Sequence, residues 1–281
     1  MYRTGKRTSS AAPRRGAAAD FVDDRLGRGE VAFALAELTQ ATGLSAVAAR
    51  NQLLRLGQTV ARVTPRQAFF LIVSPEHRVM GAPPPTWWMD AYCRWLGRPY
   101  YLALQSAAAE YGASPQAVQE AQVMTDRPRR DLSIGRVRAR FFVKQRVART
   151  PVGQLSSAHA PLRISTPEAT ALDLVRYAAR IGGIERAAET LTPLTKLFRR
   201  DELARAVREE GEWSTAQRLG FILERSGYAG LANVVFRQLP VRLSKVHLDT
   251  GARIEQAAVE REPRVDRRWA VVVDSSSDGR A

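Results

Sequence analysis

A single cysteine, Cys93, in 281 residues excludes an intramolecular disulfide framework and any multi-cysteine zinc or iron–sulfur centre. Histidine is almost as scarce, and His77, His159 and His247 share no metal-ligand spacing. No stretch approaches the roughly 18 apolar residues of a membrane span, and Met1 to Arg15 lacks the apolar centre of a secretory signal. These absences predict a cytoplasmic chain with no metal, no cofactor and no membrane partner. Acids are also few: 28 against 43 Lys and Arg gives a net charge of +15. A chain so electropositive favours polyanions, with nucleic acid first and an acidic protein second. Arg greatly outnumbers Lys, which suits planar donation to phosphate and guanine, although a GC-rich genome produces the same bias.

What is present divides along the chain. Residues 1–19 combine Arg3, Lys6, Arg7, Arg14 and Arg15 with small polar residues and read as a disordered basic arm, either a solvated tail or a minor-groove strap. Residues 20–75 read as a winged helix-turn-helix. Helices are expected over Asp20 to Leu26 and Leu35 to Thr42, followed by Gly43 for the turn, Leu44 as its plug and Ser45 as the next N-cap. In the helix that follows, Ala49, Leu53 and Leu56 recur on one stripe and face the core. Ser45, Ala46, Val47, Arg50, Asn51 and Arg55 then form the reading face, mixing small residues for close approach with donors for base edges. Thr59 to Val63 and Ala68 to Val73 read as a wing joined by Thr64-Pro65-Arg66-Gln67, with Arg62 and Arg66 set to meet phosphates.

Pro75, Pro83, Pro84 and Pro85 mark a linker over 76–86. Residues 87–274 read as a larger domain with a small antiparallel sheet and a helical bundle, and 275–281 as a disordered tail, so the fold class is α+β. That domain is expected to open with an amphipathic helix, Trp87 to Leu96, burying Trp88, Tyr92 and Trp95, and to continue with a helix over Tyr101 to Tyr111. Arg136 to Lys144 alternates as a strand, placing Val137, Ala139, Phe141 and Val143 on the core face. Arg136, Arg138, Arg140, Phe142 and Lys144 face the other way. With Arg129 and Arg130 they form a basic face for DNA, a single strand stacked on Phe142, or an acidic protein. Further helices are expected from Thr166, with Asp173 on an exposed or semi-exposed side, over Ile184 to Leu197, Asp201 to Glu210 and Ser214 to Ser226, the last with a Ser214–Gln217 capping box. Strands are expected at Val241 to Leu248 and Trp269 to Val273.

Catalytic readings find little. Asp249-Thr250-Gly251 has the string of an aspartic protease, but only 29 residues follow Ala252, too few for half of that barrel. No phosphate-binding loop is present, and Glu168 and Asp173 are poorly spaced to share a metal. The chain reads as a non-enzyme.

Four landmarks in order are more specific: the short winged helix-turn-helix; Tyr100-Tyr101-Leu102-Ala103-Leu104-Gln105-Ser106-Ala107; Ser165-Thr166-Pro167-Glu168-Ala169-Thr170-Ala171-Leu172-Asp173-Leu174; and Gln217-Arg218-Leu219-Gly220-Phe221-Ile222-Leu223-Glu224. Over roughly residues 30–230 the chain resembles the AbiEi family of antitoxins and transcriptional regulators of type IV toxin–antitoxin systems. That resemblance implies an N-terminal domain that binds operator DNA upstream of its own operon, a dimer on DNA being one option. It further implies a C-terminal domain that neutralises a nucleotidyltransferase-like toxin, directly or indirectly, in the bacterial cytoplasm at the nucleoid. The wing departs from the family, whose turn commonly contains glycine. A stand-alone regulator, or a module docking an acidic partner on its basic face, remains the alternative.

Overall fold

The computed structural model describes residues 16–113, 120–156, 161–249 and 264–273. The basic arm up to Arg15, His159 and the tail expected over 275–281 lie outside the described residues. Two compact units divide the chain after Leu96 rather than at the prolines, and residues 132–137 group with the first.

In the first unit, α1 (Ala17–Gly27), β1 (Ala32–Ala34), α2 (Leu35–Thr42) and α3 (Ala46–Arg55) precede a hairpin of β2 (Val60–Arg62) and β3 (Phe69–Ile72). Gly43 leaves α2 at φ 70°, a left-handed conformation that glycine enters without steric cost. Leu44 is buried there, and Ser45 caps α3 by accepting from the Ala48 amide at 3.2 Å. Leu38, Ala49, Leu53, Phe33 and Ile72 fill the space between helices and sheet. β1, which has no signal of its own in the sequence, pairs antiparallel with β3 to give the order β1-β3-β2. Its Phe33 stacks on Phe70 at 5.6 Å.

The helix expected to open the second domain, α4 (Pro85–Trp95), belongs to the first unit. Phe69 lies 5.3 Å from Tyr92 and 5.2 Å from Trp95, centroid to centroid, and Tyr92 donates to Gln67 Oε1 at 2.7 Å. The aromatic stripe of α4 therefore covers the face of β3 that α2 and α3 leave open, because a strand with Phe69, Phe70, Leu71 and Ile72 all buried needs apolar cover on both sides.

The second unit is built on a sheet in which β7 (Val137–Val143), β5 (Ala121–Thr125), β4 (Tyr100–Leu102), β9 (Pro161–Ser165) and β8 (Val152–Ser156) lie in that order. Between β5 and β7 in sequence, the first unit's 132–137 contains the short strand β6 (Leu132–Ile134). The α+β class holds, but the sheet is mixed: β4–β5 and β8–β9 are antiparallel, β5–β7 and β4–β9 parallel. Tyr100 to Leu102 is a strand, not the first turn of a helix. The helix, α5 (Leu104–Glu110), starts at the buried Leu104, which turns at φ 54°. Gly112, at φ 69°, ends it.

Helices α6 (Pro167–Arg176), α7 (Ile184–Leu194), α8 (Arg200–Glu210), α9 (Trp213–Arg225) and α10 (Ala229–Phe236) pack together in this unit. Thr166 caps α6 through the Ala169 amide. The capping box expected at α9 is absent. Gln217 is buried and donates to the carbonyls of Ser244 and Trp269, each at 2.8 Å, so it ties the chain's end to the bundle. The tail strands shrink to β10 (Val246–His247), β11 (Arg264–Asp266) and β12 (Val271–Val273); Val241 is fully exposed. Among the described residues no helix is long and apolar enough to cross a membrane.

Two packing details predict measurable effects. A Cβ on Gly220 of α9 would stand 1.9 Å from Cζ3 of Trp269. That indole is fully buried and fixed by its Nε1 bond to Glu224 at 2.6 Å. Gly220→Ala is expected to cost about 2–3 kcal/mol as overpacking, read as a lowered urea midpoint with unchanged slope. Tyr111 donates to the Ser165 carbonyl at 2.7 Å; burial, helped by the nearby Glu168 carboxylate, pushes its phenol up to about 12 from 10.0. The folded state therefore favours the neutral phenol. Stability from this group is complete below pH 10 and is lost as pH rises toward 12. Tyr111→Phe should flatten that part of the alkaline stability profile.

Candidate nucleic-acid interface and a buried ionic centre

The outer face of α3 carries every residue that the sequence places there. Ser45, Ala46, Val47, Arg50, Asn51 and Arg55 are all exposed, while Ala49 and Leu53 face inward. Arg50 has no side-chain hydrogen bond or ion pair among the described residues, so its donors are available. Leu54, at 78% exposure, stands on the same surface one turn after Arg50, and sequence periodicity passed over it.

The hairpin tip resolves the missing glycine. Thr64 and Gln67 close the turn on each other, amide to carbonyl at 3.2 Å and hydroxyl to Oε1 at 3.1 Å, and Gln67 is held in turn by Tyr92. A side-chain bracket replaces the backbone freedom that glycine supplies. Arg62 is exposed, but its Nε donates to the Gln67 carbonyl at 2.8 Å and its guanidinium lies 5.9 Å over the Phe70 ring. It is pre-positioned on the strand. Arg66 stands exposed at the tip.

Between α3 and the hairpin lies a cavity of about 370 Å³ lined by Arg50, Leu53, Leu54, Gly57, Val60, Arg62 and Phe70. Its walls come from a helix and a hairpin, the two elements that also carry the proposed contacts, and the space between them has no linear signal in the sequence.

In the second unit the basic face fares unevenly. Arg138 and Arg130 are exposed, as is Arg136, which belongs with the first unit; Arg129 and Arg140 are half-buried. Arg129 lies 5.7 Å over Phe141, and Arg140 pairs with Glu120 at 3.6 Å. The alternation stops at Arg140. Phe142 is buried and cannot stack a base; its ring instead meets Arg140 at 5.2 Å and Arg180, a residue the sequence did not suggest, at 4.3 Å.

Lys144, expected on the basic face, is buried and takes no part in a surface. Its Nζ lies 2.8 Å from Asp173 Oδ1 and 2.5 Å from Glu210 Oε2. Asp173, expected on an exposed or semi-exposed side of α6, is fully buried and also accepts from the Tyr101 hydroxyl at 3.0 Å. Arg176 bridges Glu210 at 2.6 Å and Glu212 at 2.5 Å, and Tyr177 donates to the Val143 carbonyl. Two cations thus meet two fully desolvated carboxylates. Burial alone would push both acids up. Lys144 and Arg176 outweigh it at Glu210 and hold that carboxyl below its ordinary range, whereas at Asp173 burial, joined by the neighbouring Glu210 charge, outweighs Lys144 and the Tyr101 hydroxyl and keeps the carboxyl raised. Burial works to lower the Lys144 ammonium, but its two carboxylate partners outweigh it and raise it. The signal in the sequence is an acid inside Ala171-Leu172-Asp173-Leu174-Val175 and a lysine ending Phe141-Phe142-Val143. Apolar neighbours on both sides mean burial, and burial requires a partner.

No group of three or more His, Cys, Asp or Glu is placed to hold a metal among the described residues. Residues 101–225, the stretch holding this ionic centre, match the family profile of the AbiEi antitoxin C-terminal domain. The chain carries an AbiEi antitoxin domain. Along nearly its whole length it shares a fold with the crystal structure of RV2827C protein from Mycobacterium tuberculosis, at TM-score 0.62 and 16% identity, covering 95% of this chain and 94% of that one. No curated protein matches it. In the AbiEi domain, the Tyr100 to Ala107 string forms β4 and the start of α5, the Ser165 to Leu174 string caps and builds α6, and the Gln217 to Glu224 string is the centre of α9.

Proposed function

We propose that this protein is a DNA-binding autorepressor and antitoxin of a type IV toxin–antitoxin system, with the first unit acting as a winged helix-turn-helix. The observation that carries the DNA half is the exposed α3 face, where Arg50, Asn51 and Arg55 stand among Ser45, Ala46 and Val47 beside a hairpin bearing Arg62 and Arg66. An α-helix of this kind fits the B-DNA major groove, Arg donating in pairs to guanine and Asn to adenine. Arg62 and Arg66 then meet the flanking phosphates and set the register without reading sequence. The operator lies upstream of the protein's own operon, and the place of action is the bacterial cytoplasm, at the nucleoid.

The antitoxin half rests on the AbiEi domain at 101–225. Its partner in this reading is a nucleotidyltransferase-like toxin, neutralised directly or indirectly. The exposed arginines Arg130 and Arg138 favour direct docking of an acidic surface as a second reading. Neither half calls for catalysis by this chain.

An electrophoretic shift of the DNA upstream of the gene, against random DNA of equal length, tests the repressor half: preferential retardation is expected, and equal retardation of both overturns it. Co-expression with the neighbouring reading frame tests the other half through rescue of growth. Rescue abolished by Arg130→Glu/Arg138→Glu supports direct docking; rescue unchanged points to indirect neutralisation.

A further inference from the structure

From the cavity between α3 and the hairpin we infer that the first unit binds a small amphipathic organic anion, a carboxylate on an apolar body, and that this ligand and DNA exclude one another. The binding clause stands alone; the exclusion clause rests on the reading of α3 as the DNA-contacting helix.

About 370 Å³ falls at the small end of the range in which proteins hold organic ligands. The chemistry of the walls is split. Leu53, Leu54, Val60 and Phe70 supply an alkyl and aryl floor, and Gly57 leaves one side without a side chain. The charged groups of the lining are Arg50 and Arg62, both cationic, so the lining carries two positive charges and no negative one. Such a site takes an apolar body on the floor and a single anionic group between the guanidinium groups. A phosphodiester strand, hydrated on every side, gains little from that floor.

The arginines are prepared differently. Arg62 is braced by the Gln67 carbonyl and the Phe70 ring, and Arg50 has no partner among the described residues. A carboxylate would therefore meet one fixed donor group and one that turns to it. Arg50 cannot donate to the carboxylate and to a base edge with the same pair of N–H groups. Occupation of the cavity thus withdraws a reading residue, and the two ligands compete.

The test uses the full-length protein without DNA and three probes, benzoate, phenylacetate and octanoate, in calorimetric titration. At least one is expected to bind saturably in the millimolar range or tighter. Leu54→Asp places a negative charge at the mouth on a side chain 78% exposed, so the fold is left intact. It is expected to weaken binding at least tenfold, whereas Leu54→Gln should weaken it less. No saturable binding of any probe, or equal binding by Leu54→Asp, overturns the site. Added to a protein–DNA complex, the probe is expected to raise the apparent Kd for DNA by the factor one plus the ratio of free probe to its own Kd, the inverse of the probe-free fraction. A probe that binds while leaving DNA affinity unchanged overturns the exclusion clause, and failure to bind DNA at all sinks the reading of α3 and leaves the cavity result standing.

Discussion

Lys144→Met is expected to destabilise the AbiEi domain by about 3–5 kcal/mol, a larger loss than overpacking at Gly220 or any exposed substitution would cause. The reason is the state of what remains. Methionine fills nearly the same volume, but Asp173 and Glu210 are left with no lysine between them, and Asp173 then keeps only the Tyr101 hydroxyl. Burying an unpaired carboxylate costs far more than losing a surface pair, whose typical value is about 0–1 kcal/mol. Glu210 suffers less, since Arg176 still bridges it. Two controls separate charge from shape. Lys144→Met/Asp173→Asn/Glu210→Gln removes the orphaned charges and should recover most of the loss; Lys144→Arg should recover little, because a planar fork does not fit a site built around one tetrahedral ammonium. An unfolding free energy from urea titration for Lys144→Met within about 1 kcal/mol of the wild type would show that the cluster adds nothing to the fold.

Second in size is the contrast between two arginines of the first unit. Arg50→Ala should cost about 1–3 kcal/mol on the cognate site and nearly nothing on random DNA, because a bidentate base contact discriminates. Arg66→Ala should weaken both by similar amounts and reduce the salt slope by about one, because a phosphate contact releases a counterion whatever the sequence. Arg62→Ala combines effects: it also removes the brace on the Gln67 carbonyl and loosens the hairpin. Two-arm titrations of each variant separate these outcomes, and identical responses of Arg50→Ala and Arg66→Ala would contradict the division of roles.

How far the residues themselves announced this architecture depends on the range of the interactions involved. Local signals worked where local physics decides. Gly43, Leu44 and Ser45 mark the turn because φ, burial and capping are each set within a few residues, and the outer face of α3 follows from its period. The α+β class followed from the same cues. Long-range partners were invisible. β1 is three residues, and exists because β3 offers an open edge. The helix α4 looks autonomous in sequence, yet Tyr92 and Trp95 cover Phe69, which moves the boundary past the prolines to Leu96. Tyr101 to Leu104 has helical composition, but the middle of a sheet overrides it, at the cost of a left-handed Leu104. The basic strand was half legible: alternation predicts which way a side chain points, not what it meets, so Lys144 passed for a surface charge until Asp173 and Glu210 were brought to it. The cavity beside α3 had no linear signal, since it is the space between a helix and a hairpin.

The central claim is that α3 reads DNA. Its most direct test is fluorescence anisotropy of the wild-type protein with the DNA upstream of its gene, titrated at several salt concentrations. About 4–6 phosphate contacts per protomer predict that log K falls with log salt at a slope near −4 to −5, with a preference over random DNA that Arg50→Ala reduces. Binding that is absent, insensitive to salt, or equally strong for any sequence with and without Arg50 would contradict it.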